Sequence, residues 1–336
     1  MGFVTFGEIL LRLTPSERGC KIGSSNYMEM NFAGSESNVA SSLGVLGNSV
    51  QFVTKLPDND LGRAASGSLL SYGVTVDNIR FGGNRIGIYF IEVGSSIRPS
   101  KVIYDRKDSA ISTISDQEFD WSRILADKEW LFISGITPAL SKNCALETIK
   151  AAETAHKLGV KVAFDPNYRR TLWSSSSEAR KVYLPILENT DLLLGNYGML
   201  QDVFGYEPKG QDTMEKSLDA IEEAVGLLGV SNIAFTVRDH FSASKNRLSG
   251  LLRTDNGEIL SGPSYEVAIT DRFGTGDSFA AGLLHGLGNQ WDAQKSLDFA
   301  TAAFALKHTI KGDQHTSSEA EITSIMNGNI QGHVLR

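Results

Sequence analysis

From residue 130 onward the chain alternates between two kinds of segment, and that alternation constrains its fold more than any other feature. Short apolar stretches at Trp130 to Ser134, Val160 to Asp165, Asp191 to Gly195 and Asn232 to Val237 read as strands. Cys144 to Leu158, Ser176 to Glu188, Leu218 to Leu228, Asp277 to Leu287 and Ala293 to His308 read as helices. Repeated strand–helix units return the chain in one direction and build a parallel sheet covered by helices on both faces. The expected fold class is therefore α/β, and ligands in such sheets bind beyond the carboxyl ends of the strands.

The first part of the chain has a second character. Val4 to Glu8 and Gln51 to Leu56 read as strands, and Leu61 to Tyr72 as a helix ended by Gly73. Ser35 is placed to cap a helix whose apolar face is Val39, Leu43, Val45 and Leu46, with Gly47 as its stop. Ile9 to Thr14 and Tyr27 to Phe32 look like further strands, and Gly87 to Val93 with Lys101 to Arg106 forms a hairpin. Period-two alternation sets Tyr89 and Ile91 on one face of the first hairpin strand, and Tyr104 and Arg106 on one face of the second. No Pro/Gly-rich linker divides the chain. The expectation is one domain over 1–336, with a small sheet formed discontinuously by about 9–33 and 86–107. Such a sheet leaves a face exposed unless it covers the active site or pairs with another subunit.

Within this frame, Asp271-Arg272-Phe273-Gly274-Thr275-Gly276-Asp277 leads straight into a helix rich in Ala and Gly. Its glycines let the backbone turn tightly and approach a ligand. The helix end offers unpaired N–H groups and a positive dipole end to an anion. Asp277, in the first turn, is badly placed to bind an anion but well placed to take a proton from a hydroxyl that attacks a phosphate. A short Gly-x-Gly-Asp string also occurs as a plain capping turn. It is neither the P-loop, which needs Gly-Lys-Ser/Thr, nor the dinucleotide fingerprint.

Three other stretches carry chemistry. Gly34 allows close approach, and Asn38 both donates to and accepts from sugar hydroxyls. Asp165-Pro166-Asn167-Tyr168-Arg169-Arg170 follows a strand directly, where ligand-facing loops lie. Tyr104 and Arg106 suit an acidic substrate, because a guanidinium fork matches a carboxylate in a bidentate way. Each also has a plain reading: a first-turn polar residue, a turn with solvated arginines, an exposed strand arginine. Lys307 and His308 suit the end of a helix through its dipole.

Composition excludes some classes. With 32 Lys plus Arg against 39 Asp plus Glu, the net charge of −7 argues against a general nucleic-acid or anionic-membrane binder. The chain opens on strand-like residues, not a signal peptide, and no apolar run reaches the ~20 residues of a membrane span, so a cytoplasmic protein is expected. Cys20 and Cys144 are in no metal or redox spacing and read as two buried free thiols. None of His156, His240, His285, His308, His315 and His333 lies at ligand spacing from another ligand-type residue, so no zinc site is expected.

Together these stretches resemble the ribokinase-like (PfkB) sugar kinases. The run Ala33-Gly34-Ser35-Glu36-Ser37-Asn38-Val39-Ala40 through Gly47 matches the family's first motif, and Asp271 to Asp277 matches its second, Asp-x-x-Gly-x-Gly-Asp. Within the family the chain is most similar to the 2-keto-3-deoxygluconate kinases. That likeness is carried by Gly7-Glu8, Tyr104 to Ala110, Gly135 to Ser141, Asp165 to Arg169 with Leu172-Trp173, and Lys307 to Ile310. The resemblance implies a ribokinase-like, Rossmann-type core with a β-sheet lid, and oligomers formed partly through the lid. It implies ATP and Mg2+, and a 6-phosphate product of 2-keto-3-deoxygluconate. It implies Asp277 as base, with Gly274, Thr275 and Gly276 as the anion hole. The sugar-acid site it implies comprises Gly34, Asn38, Tyr89, Tyr104, Arg106, Ile136 and Arg169, and the nucleotide site Asn196, Thr236, Arg238, Gly274 and Gly276.

The chain departs from the family pattern twice. Where Asn-x-x-Glu is usual it has Asn196-Tyr197-Gly198-Met199, so no metal-binding residue is assigned. The Gly-rich turn near the nucleotide is replaced by Thr236 to Ser244, without glycine. Two rival expectations stand beside the sugar-acid kinase. One is a fructokinase or ribokinase type acting on a neutral sugar. The other is a sugar-sensing homologue without catalysis.

Overall fold

A computed structural model describes residues 2–17 and 19–332; His333 lies outside them. The alternating segments build one large sheet of 11 strands. Its parallel centre runs, in spatial order, Asn232–Ser242, Leu192–Gly195, Lys161–Asp165, Trp130–Ser134, Gly2–Phe6 and Ser49–Leu56. These strands read as continuous apolar runs because both sheet faces are covered, and Val4, Leu131, Ile133, Val162, Phe164, Leu193 and Ile233 are all buried. One apolar cluster holds Val39, Leu43, Phe279, Leu283 and Phe304; a second, on the other face, holds Phe119, Trp121, Tyr183 and Ile221.

Past the parallel centre the sheet changes character. The strand expected to stop at Val237 continues to Ser242 and turns back as Lys245–Arg253, antiparallel to it. Ile259–Ser261 and Tyr265–Ala268 add to that returning strand. The polar sequence there alternates poorly, so hydrophobic periodicity does not reveal it. The helix Glu319–Met326 was also not anticipated, although Ser318 and Glu321 form a capping box.

A separate sheet of four strands stands over the carboxyl ends of the large one. Its order is Met28–Ala33, Leu10–Pro15, Ile88–Glu92, Lys101–Asp105. The expected hairpin is present, with Tyr89 opposite Tyr104 in its register. Lys101, Ile103, Tyr104 and Asp105 remain exposed while Tyr89 and Ile91 are buried, so the hairpin's outer strand has little cover.

One local expectation is corrected. Cys144 is buried and its thiol is pushed up to about 12 by desolvation, but Cys20 is partly exposed in a surface loop. Lys307 and His308 end a helix, Ala293–Lys307, as expected, and both are fully buried there. Among the described residues, no helix is long and apolar enough to cross a membrane.

Candidate active site

A cleft of about 640 Å3 opens between the two sheets. Gly34, Asn38, Tyr89, Tyr104, Arg106, Ile136, Arg169, Asn196, Thr236, Arg238, Gly274, Thr275, Gly276 and Asp277 all line it. Residues more than two hundred positions apart in sequence therefore share one wall, as the parallel topology brings several strand ends and helix starts to the same edge.

The cleft floor is built where two helices begin. Gly274 caps the helix Thr275–Gly288 with φ 71°, and a Cβ there would stand 1.8 Å from the Asp313 carbonyl oxygen, so only glycine fits. Gly276 differs: a Cβ would meet nothing within 4 Å, which leaves its backbone open to the cleft. Asp277 is the third residue of that helix. The second helix, Ser35–Val45, is capped by Gly34 and not by Ser35. Freed from capping, the Ser35 hydroxyl donates to Asp277 Oδ1 (2.8 Å), and Asn38 Nδ2 donates to Oδ2 (2.7 Å). Gly34 is confined by the chain itself, since a Cβ would meet the Glu8 carbonyl at 2.0 Å.

Three carboxyl groups gather here. Burial raises Asp277 to about 6, against the lowering effect of its two hydrogen bonds. Burial, then the charge of Asp277, pushes Asp165 up to about 7. Burial likewise holds Glu36 at about 7 although the Ser134 and Thr137 hydroxyls donate to it, each at 2.7 Å. Asn167, with a positive φ of 38°, donates from Nδ2 to Ser35 Oγ at 3.0 Å, which fixes the hydroxyl that holds Asp277. Asparagine tolerates that backbone better than most residues, and such outliers collect at functional sites.

The arginines have unequal surroundings. Arg106 is paired through Nη2 with the buried Glu8 carboxylate, to which Ser109 also donates, and its guanidinium lies 5.5 Å over the Tyr104 ring. Its Nε is buried with no hydrogen-bond partner among the described residues, and the residue lines the cleft. Arg169 is exposed, lines the cleft and, among the described residues, donates only to the carbonyls of Asn167 and Tyr168, both at 3.3 Å. Arg238 donates to Thr275 Oγ1 (2.9 Å) and has no acidic partner among the described residues. Burial and the nearby Arg272 lower it to about 10.

Asn196 uses its side chain to cap the following turn, accepting from Gly198 N at 2.9 Å, and Thr236 reaches only the Gly195 carbonyl, at 3.4 Å. Met199 is buried, and among the described residues no three His, Cys, Asp or Glu side chains are disposed to hold a metal ion. The donor set thus does not fit a divalent cation caged by protein.

Sequence reasoning missed Glu8, Arg12, Glu36 and Asp313. Arg12 had a signal: a charge inside the apolar strand Leu10-Leu11-Arg12-Leu13. Glu8 and Glu36 stood inside the motifs without a role, and they and Asp313 acquire one only through their partners in space.

Comparison with known proteins gives the following. Residues 3–320 match the pfkB family carbohydrate kinase model. The chain is 33% identical to the 2-dehydro-3-deoxygalactonokinase of Haloferax volcanii, over 98% of each chain. It is 43% identical to the 2-dehydro-3-deoxygluconokinase of Thermotoga maritima, covering 98% of this chain and 100% of that one with a TM-score of 0.94. The ATP-bound fructokinase of Xylella fastidiosa, 19% identical over 98% of each chain with a TM-score of 0.78, shares the fold.

Proposed function

The chain belongs to the pfkB family of carbohydrate kinases, and from that premise we propose that it phosphorylates a six-carbon 2-keto-3-deoxy sugar acid at C6, with ATP as donor. Asp277 is the base. As the sugar hydroxyl attacks the γ-phosphorus, a P–O bond forms, the bond to ADP breaks, and the hydroxyl proton passes to the Asp277 carboxylate. Its raised pKa brings it near the operating pH, where a general base works best.

The observation that carries this reading is the joining of Asp277 to the open Gly274–Gly276 turn at one helix start. Helix N–H groups and Arg238 meet charge on the phosphoryl oxygens, stabilising the transition state. The carboxylate end of the sugar acid is taken by Arg169 and Arg106, while Tyr89, Tyr104 and Ile136 wall its carbon chain. Glu8 balances Arg106 and holds its fork in place. A magnesium ion would be held chiefly by the nucleotide phosphates and would neutralise part of their charge.

Support for the acid over a neutral sugar comes from Arg169, a cation at the cleft with no salt-bridge partner among the described residues, beside the Glu8-paired Arg106. The gluco- and galacto-configured acids differ at C4, and both names occur among the relatives. A coupled ADP-release assay with both acids, fructose and ribose tests the proposal. The acids should be turned over far faster. Preference for fructose or ribose refutes the substrate, and absence of turnover on all four refutes the kinase reading. A dimer through the exposed outer strand of the small sheet is part of the same proposal.

A further inference from the structure

One buried ionic cluster connects the two sheets behind the cleft. Arg12 lies in the small-sheet strand Leu10–Pro15 and is 1% exposed. Its Nη2 donates to Asp271 Oδ2 at 2.7 Å, its Nη1 to Asp313 Oδ1, and its Nε to Thr14 Oγ1 at 2.9 Å. Each carboxylate has a second task. Asp271 accepts from the backbone N–H of Phe273 at 3.2 Å and of Gly312 at 3.1 Å, which shapes the turn that opens the phosphate cradle. Asp313 accepts from the Tyr89 hydroxyl at 2.8 Å, and its own carbonyl abuts Gly274. Tyr89 in turn stacks on Tyr104, with ring centres 5.9 Å apart, and Arg106 lies over Tyr104. The buried Lys307 ammonium donates to Ile310 O (3.1 Å) and Gly312 O (2.7 Å), holding the loop that carries Asp313.

We propose that Arg12 is a positioning residue for phosphoryl transfer. By gripping Asp271 and Asp313 at once, its guanidinium ties the Phe273–Thr275 turn to the sheet that carries Tyr89, Tyr104 and Arg106. The sugar wall and the phosphate cradle are thereby held in one register. This rests on the reading of Gly274–Gly276 as cradle and of the small sheet as sugar wall. A guanidinium is suited to the task because its planar fork spans two carboxylates on two separate loops, which a lysine's single ammonium does not. Reacting atoms in such a site must meet within a few tenths of an ångström, and misplacement of ~1 Å costs ~100-fold in rate.

The test is steady-state kinetics and thermal melting of Arg12→Lys and Asp313→Asn, each on whichever sugar the wild type turns over best. Arg12→Lys keeps the charge and loses the fork. In the folded variant kcat should fall ~30-fold or more while both KM values stay within about threefold, because each half of the site keeps its own contacts. Asp313→Asn should lower kcat by ~10-fold or more, and the double variant should lose less than the product of the two, since both break one connection. A kcat within about threefold of wild type in folded Arg12→Lys overturns the proposal, as does a loss that only tracks the unfolded fraction. Should Arg12→Lys not fold, an unchanged kcat in Asp313→Asn overturns it alone. A wild type that prefers a neutral sugar refutes the substrate assignment instead, and leaves this comparison to be made on that sugar.

Discussion

Replacing Asp277 by Asn separates the chemistry of the site from its stability, because the two respond with opposite sign. The carboxyl stands at about 6 instead of 3.8, so in the folded protein at pH 7 its ionised form is disfavoured by about 3 kcal/mol. Below pH ~4 the group is protonated whether folded or not, and no penalty exists; the penalty builds up between pH ~4 and about 6 and is constant above that. Asparagine never ionises and removes it. Against this, an amide NH2 must now face the Asn38 NH2 or the Ser35 hydroxyl, at a cost of about 1–3 kcal/mol. The sum at neutral pH is about 0–2 kcal/mol in favour of the variant. With an unfolding entropy of ~2.1 cal/mol/K per residue, that is a rise in Tm of about 0–3 °C. Loss of the base should meanwhile lower kcat by ~10²–10⁴, or about 3–5 kcal/mol of barrier. The assays are ADP release at saturating substrates and a melting series from pH ~4 to ~8, in which the variant's Tm relative to wild type climbs up to pH ~6 and then levels off. Wild-type kcat/KM should fall below pH ~6 as the base protonates. Turnover within about tenfold of wild type would refute the role of the carboxylate. A Tm difference that stays flat or falls with rising pH would refute the desolvation argument.

Other perturbations separate binding from scaffolding. Arg169→Ala should raise KM for the sugar acid ~10–100-fold, scarcely alter a neutral sugar, and leave Tm unchanged, because Arg169 is exposed and unpaired with any acid; equal losses on both sugars count against it. Arg106→Ala is a poorer probe, since it strands the buried Glu8 carboxylate at a cost of about 3–5 kcal/mol. Arg238→Met should raise KM for ATP ~10–100-fold without lowering Tm, as it removes a partly buried cation with no acidic partner among the described residues; an unchanged KM takes Arg238 out of the nucleotide site. Gly274→Ala should destabilise the protein by ~3 kcal/mol or more, through its left-handed backbone and the Asp313 carbonyl. Gly276→Ala should keep the fold and lose at least ~10-fold in kcat/KM for ATP, because its Cβ enters only the cleft; parallel melting and activity in the two variants would deny that distinction.

Alternation of strands and helices after residue 130 was sufficient to fix the parallel sheet, since local periodicity reports which side chains face a neighbour. The paired glycines and carboxylate at 274–277, and the Tyr–x–Arg hairpin, marked the two halves of the cleft in the same local way. Electrostatic partnership was not legible. Ser35 looked like a helix cap and proved to be a ligand of Asp277; Arg106 looked like a free cation and proved to be half engaged by Glu8. Lys307 and His308 suited a helix end, as found, but that they lie fully inside was not visible. The raised carboxyls of Glu36, Asp165 and Asp277 arise from desolvation and mutual repulsion among groups up to 241 positions apart, which no window along the chain contains. The sequence by itself determined where backbone can turn and which faces are apolar. Only the tertiary structure decided which charges meet and how dry their surroundings are, because those depend on distance through space and not along the chain.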